Sequence, residues 1–146
     1  MALFNWPMTP PDQTSSTSAD SNASRPCTRV GADELEPADP TPGMSRQLAL
    51  HTSAMWSGTV DTESGAVSAW HHHGTHETTL YVVSGTMRLE SGGGGEHVVE
   101  AGPGDFLHVP AGAVHREANP GPGASRAVVV RCGSGTLTVN VDGPAS

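Results

Sequence analysis

From Met44 to the end of the chain, apolar and polar side chains alternate in short runs broken by glycine, proline and serine. Alternation with a period of two puts one set of side chains on each face of an extended strand. The pattern predicts strands near Arg46–His51, Ala54–Val60, Ala66–His73, Thr78–Ser84, Thr86–Ser91, Glu96–Glu100, Asp105–Val109, Val114–Ala118, Ser125–Arg131 and Thr136–Val141. Turns at Ser84-Gly85, Gly92–Gly95, Gly102–Gly104 and Asn119–Gly123 separate the later strands. Evenly spaced short strands without helical interludes predict an all-β fold, a sandwich or barrel of antiparallel strands. A unit of roughly 100 residues can bury an adequate core.

Upstream the alternation stops. Residues 9–26 are almost free of large apolar side chains, too few to offset the entropy of ordering them. Leu3, Phe4, Trp6 and Met8 form a small apolar cluster just before, suited either to a loose terminus or to docking on a neighbouring subunit. Residues 27–43 carry three prolines and an Ala32–Glu36 stretch that predicts one helical turn. The expected division is an extended N-terminal arm over residues 1–43 and a β domain over residues 44–146.

Composition narrows the function. The 18 glycines and 12 prolines agree with a turn-rich β domain. Fifteen acids face seven basic residues, all arginine, and a formal charge of −8 argues against binding a nucleic-acid backbone. No apolar run approaches the roughly 18 residues of a membrane-spanning helix. The opening MALFNWPMTPP lacks a basic region and is cut by prolines, so no secretory signal is expected. Two cysteines, Cys27 and Cys132, make no disulfide framework, and a reduced, cytoplasmic setting is the expectation.

Histidine is the anomaly, with eight in the chain. Trp70 to Glu77 reads WHHHGTHE. On a strand His71 and His73 share a face and His72 looks away, so two imidazoles would form a bidentate clamp at the end of a row begun by Val67 and Ala69. His115 follows the turn Pro110-Ala111-Gly112-Ala113-Val114, which returns the chain to the β unit.

These residues carry a resemblance. Gly65, five residues, His71-x-His73, and then Gly85 after LYVVS look like the first motif of the cupin family. Gly104, five residues, Pro110-x-Gly112, two residues, His115, three residues and Asn119 match its second motif throughout. The resemblance spans about residues 44–141 and implies a cupin jelly-roll barrel of antiparallel strands with a metal in its mouth. In the usual cupin a glutamate seven residues before the closing glycine joins the histidines. Here that position is Thr78, and Glu77 lies one residue away, on the opposite face of a strand. His76 shares the face of Thr78 if the strand already runs there. The favoured ligand set is therefore His71, His73, His76 and His115. Glu77 is the fallback ligand, and a site of three histidines is the remaining choice.

An imidazole-rich site suits Zn first, with Fe, Ni, Co or Cu as alternatives. An all-imidazole set would leave the ion its full charge and make it a strong Lewis acid. Within cupins, the histidine-rich first motif, the missing glutamate and the small size resemble the metal-dependent aromatic polyketide cyclases of the resistomycin-pathway type. That likeness implies a poly-β-ketone substrate, delivered on an acyl carrier protein. His51, His108 and Glu77 are the candidates for general acid or base. Tyr81 and Phe106 read as core, and Arg88 and Arg116 as partners of local acids. The alternatives are an Fe-dependent cupin dioxygenase and a non-catalytic cupin that binds a small ligand or metal. A homodimer is expected, because a jelly roll leaves sheet edges that need covering.

Overall fold

A computed structural model describes residues 25–144, which fold into two antiparallel sheets without a helix. The chain runs through β1 (Glu36–Pro37), β2 (Met44–His51), β3 (Met55–Thr62), β4 (His71–His72), β5 (Glu77–Ser84) and β6 (Met87–Ser91). It continues through β7 (His97–Ala101), β8 (Phe106–Val109), β9 (His115–Ala118), β10 (Ser125–Cys132) and β11 (Val139–Asn140). One sheet has the order β1-β2-β3-β10-β5-β8 and the other β11-β4-β9-β6-β7. This is the expected jelly roll, with its two sheets facing each other across the core. The apolar cluster at Leu3, Phe4, Trp6 and Met8 and most of the expected arm lie outside the described residues. Within the described part, Ala32–Glu36 forms a turn that runs straight into β1, and β1 pairs with β2 rather than closing a helical turn.

Alternation decides which side chains are buried. In β3, β5 and β10 every second residue faces inward, and these rows lie side by side in register. Val60, Ala127 and Val82 share one rung, and Gly58, Val129 and Leu80 the next. From the facing sheet Met87, Leu89 and Ala101 close the core. One rung further along, the inward residues become Trp56, Arg131 and Thr78. The apolar rungs thus fill the middle of the barrel, with the buried Thr62–Ser125 pair beyond them at one end and the polar rung that receives the histidines at the other.

Two readings of the pattern are corrected. Ala66–His73 is not a continuous strand: Val67 makes one bridge to Ala118, and pairing resumes only where His71 meets His115. Three residues, Ser68 to Trp70, stand opposite two, Arg116 and Glu117, the one-residue excess of a bulge. Ser68 produces it, because its Oγ accepts the Glu117 N–H at 2.9 Å while its own N–H binds the Glu117 carbonyl at 2.8 Å. Val67 and Ala69 are consequently exposed rather than part of an inward row. Tyr81 and Phe106 also lie outside, their rings tilted at 53° with centroids 4.9 Å apart, because Leu80 and Leu107 occupy the inward phase of β5 and β8.

Candidate metal centre

Two strands of the five-stranded sheet and one turn assemble the centre. His71 on β4 and His115 on β9 are direct cross-strand partners, so their side chains leave the sheet together. His73 follows two residues after His71, before a turn in which Gly74 takes φ +57°. On the other arm, Gly112 takes φ +74° in the turn that delivers His115; both angles favour glycine. Ring centroids are 4.4 Å apart for His71 and His115, and 5.0 Å from each to His73.

Each ring is held by its Nδ1. His71 donates to the Ala69 carbonyl at 2.9 Å, His73 to Leu137 at 2.7 Å and His115 to Ala113 at 2.9 Å. A carbonyl oxygen only accepts, so Nδ1 carries the proton and each Nε2 presents a lone pair. The Nε2 atoms of His73 and His115 are buried without a hydrogen-bond partner, an exception to the rule that buried polar atoms are satisfied. Metal-bound histidines are oriented in just this way, through the nitrogen that does not bind.

The fourth member is Glu117. Two residues beyond His115 on β9, it points to the same face, and its Oε1 lies 4.0 Å from the Nε2 of both His71 and His115. One donor atom from each of His71, His73, His115 and Glu117 lies within 4.8 Å of all the others. Three imidazole nitrogens and one carboxylate oxygen at that spacing fit a divalent first-row transition ion. Glu117 Oε2 is held by Arg46 at 3.3 Å. Burial alone would raise the Glu117 carboxyl, but Arg46, with smaller contributions from His71, His115 and Arg131, keeps it below the ordinary carboxylate range. Burial lowers His73 to about 3, with Arg131 adding to the effect, and burial also lowers His115. The His73 and His115 rings therefore stay neutral and able to donate to a cation.

The expected set is corrected at one position. The structure brings together His71, His73 and His115 but not His76. The His76 ring is buried on the same phase as Thr78, yet its Nδ1 is tied back to the His73 carbonyl at 2.9 Å, and the ring lines a small separate cavity beside His51. Glu117, not a fourth imidazole, completes the group. Glu77, the fallback ligand, projects from the outer face, where its carboxylate meets His108 Nε2 at 2.6 Å. That hydrogen bond lowers the Glu77 carboxyl. With side chains 57% and 63% exposed, Glu77 and His108 form a surface pair, and His108 also lines the cavity that opens on His115. His51 differs, lying at the exposed end of β2 on the rim of the main cavity. Arg88 and Arg116 do pair locally, with Glu100 at 2.8 Å and Glu90 at 2.6 Å.

That cavity, of about 870 Å³, opens on His71 and is walled by Arg46, Leu48, Trp56, Arg131 and Leu137. A second cavity of about 560 Å³ opens on His115 from the side of β6, β7 and β8.

Known proteins agree with this architecture. KdgF from Halomonas sp. is 25% identical, with a TM-score of 0.63, over 74% of this chain and 96% of that one. The polyketide cyclase RemF from Streptomyces resistomycificus is 19% identical, with a TM-score of 0.65, over 79% of this chain and 85% of that one. Pac13, a nucleoside dehydratase from Streptomyces, is 18% identical, with a TM-score of 0.64, over 83% of this chain and 95% of that one. The last two show a shared fold. No curated protein matches the chain. The family described as "Cupin domain" matches residues 58–131, more than half of the chain and both histidine motifs. The chain belongs to the cupin family.

Proposed function

We propose that this protein is a metal-dependent cupin enzyme that closes rings in a poly-β-ketone by activating its carbonyls. The observation that carries the reading is the convergence of three oriented Nε2 atoms and the Glu117 carboxylate at the end of a cavity of about 870 Å³. A divalent ion held by His71, His73, His115 and Glu117, with Zn favoured over Fe, Ni, Co or Cu, would supply Lewis-acid polarisation of a carbonyl oxygen. Glu117 gives the site one negative charge that an all-imidazole set would lack, and Arg46 neutralises part of it.

The chain's own groups do the rest. Leu48, Trp56 and Leu137 offer an apolar wall on which a long carbonyl-rich substrate folds, bringing its reacting carbons together. His51 on the rim is the group placed to exchange a proton between substrate and solvent. The likeness to RemF supports the polyketide substrate, and arrival on an acyl carrier protein belongs to the same proposal, as does a homodimer paired through sheet edges. The test is metal analysis of the purified protein combined with turnover of a poly-β-ketone thioester. Bound Zn, ring closure without oxygen consumption, and loss of both in a folded His73→Ala variant support the proposal. A metal-free protein, or turnover unaffected by that substitution, overturns it.

Glu117 favours one second reading. A carboxylate beside histidines is the donor type used for iron-dependent oxygen chemistry. Bound Fe and substrate-dependent oxygen uptake would select a cupin dioxygenase instead.

A further inference from the structure

Arg131 is the charge that the proposed chemistry leaves unused. It lies on the polar rung with Trp56 and Thr78, 4% exposed, its guanidinium carbon 5.3 Å from the centre of the Trp56 ring. Its Nε has no hydrogen-bond partner, and neither has the neighbouring Thr78 Oγ1. The carboxylate whose field supports it is Glu117, already ion-paired with Arg46. Asp39, the acid that lines this cavity, is exposed. A guanidinium cannot shed its proton in a protein. The cavity wall therefore presents two buried or nearly buried cations, Arg46 and Arg131, and the one buried anion near them, Glu117, stands outside the lining and is held by Arg46. A divalent ion at the histidine cluster would add to that excess.

A buried cation without a partner is disfavoured, and the imbalance is relieved when an anion enters. Arg131 also supplies what such a ligand needs: a planar fork of donors suited to two oxygens, stacked on an aromatic ring. We infer that Arg131 is the anion-recognising residue of this cavity, and that the substrate carries a negatively charged oxygen, on a carboxylate or an ionised enol, which the guanidinium seats beside Trp56. The inference deepens the reading above by naming the substrate's charge, and it rests on that reading for the reacting carbonyls. Anion binding itself requires only Arg131 and the cavity.

The experiment is calorimetric titration of the full-length protein, as purified and after metal removal, with benzoate, with its neutral analogue benzamide, and with acetylacetone. Benzoate is expected to bind at least about 10-fold more tightly than benzamide. In a folded Arg131→Met variant it should weaken by about 10- to 100-fold, the usual weight of a charge-assisted hydrogen bond. Arg131→Lys should retain part of the preference for the anion. Arg131-dependent binding of acetylacetone assigns the ionised enol, and binding of benzoate alone assigns the carboxylate; either supports the inference. The melting temperature of Arg131→Met should equal or exceed that of the parent, because an unpaired buried charge is removed; a merely structural arginine would lower it. Equal binding of benzoate and benzamide, no binding of any probe, or an undiminished preference in Arg131→Met overturns the inference. Should Arg131→Met fail to fold, the benzoate-to-benzamide ratio of the parent and of Arg131→Lys decides the matter. Failure to find metal or turnover would remove the proposed function and leave anion binding standing, whereas failure of the probes would do the reverse.

Discussion

Replacing Glu117 by glutamine tests the electrostatics on which the centre depends. The substitution keeps the side chain's volume but removes its charge. Glu117 and Arg46 have side chains only 4% and 12% exposed, with 3.3 Å between their charged atoms. Removing one member of a buried pair typically costs about 3–5 kcal/mol, because the other charge is left without compensation. A single contact, and a glutamine oxygen still able to accept a hydrogen bond, place Glu117→Gln near the lower end, at about 3 kcal/mol. For a domain of this size that is a fall in melting temperature on the order of 10 °C. The assay is thermal and urea unfolding, followed by circular dichroism in the presence of a chelator, so that lost metal binding does not contribute. A double-mutant cycle with Arg46→Met should give a coupling of about 2 kcal/mol, the double variant recovering much of the loss. A loss below about 1 kcal/mol, or a coupling near zero, would mean that water rather than Arg46 balances the carboxylate, and the reasoning would fail.

His73→Ala should reduce metal affinity, measured by competition with a chelator, by more than the about 10–100-fold seen on removing a ligand's outer partner. Acid should weaken the metal-free protein through the same residue. His73 titrates near 6.5 when unfolded and near 3 when folded, so between those values the unfolded chain binds more protons and stability falls with falling pH. The loss from His73 at pH 5 relative to neutrality is about 2 kcal/mol, read from urea midpoints at the two pH values; equal midpoints would refute it. Glu77→Gln should leave metal content unchanged, since its carboxylate is directed to His108 on the outer face and away from the histidine cluster. Glu117→Gln should lower metal content under identical conditions, and the reverse order by metal analysis would restore Glu77 as a ligand.

Much of this molecule can be read from alternation alone. β3, β5 and β10 have the expected phase because a half-buried strand permits one apolar row on one face. The meeting of His71, His73 and His115 was likewise legible, since cross-strand pairing and a spacing of two leave their rings little choice. Glu117 was legible in principle, two residues after His115 on one strand. The cupin pattern points instead to the position seven residues before Gly85, where Thr78 does face inward but offers only a hydroxyl. His76 shows the limit of the method. Phase carries along a strand but not across the turn at Gly74-Thr75, where a single hydrogen bond to the His73 carbonyl decides where the ring points. The extra residue opposite β9 was equally hidden, because it depends on which donor Ser68 Oγ accepts from. For Tyr81 and Phe106, aromatic character suggested burial, whereas their neighbours Leu80 and Leu107 had already taken the inner phase.

The roll is open along both flanks, between β1–β2 and β11 on one side and between β8 and β7 on the other, and each flank holds one of the two larger cavities described above. The histidines stand in the partition, with His71 facing one chamber and His115 the other. Such a plan separates traffic: a bulky guest can fill the wider chamber while a small molecule, a water consumed or released, comes and goes through the narrower one. The enclosure that a long guest needs and the solvent route that proton and water exchange need then no longer compete for a single doorway.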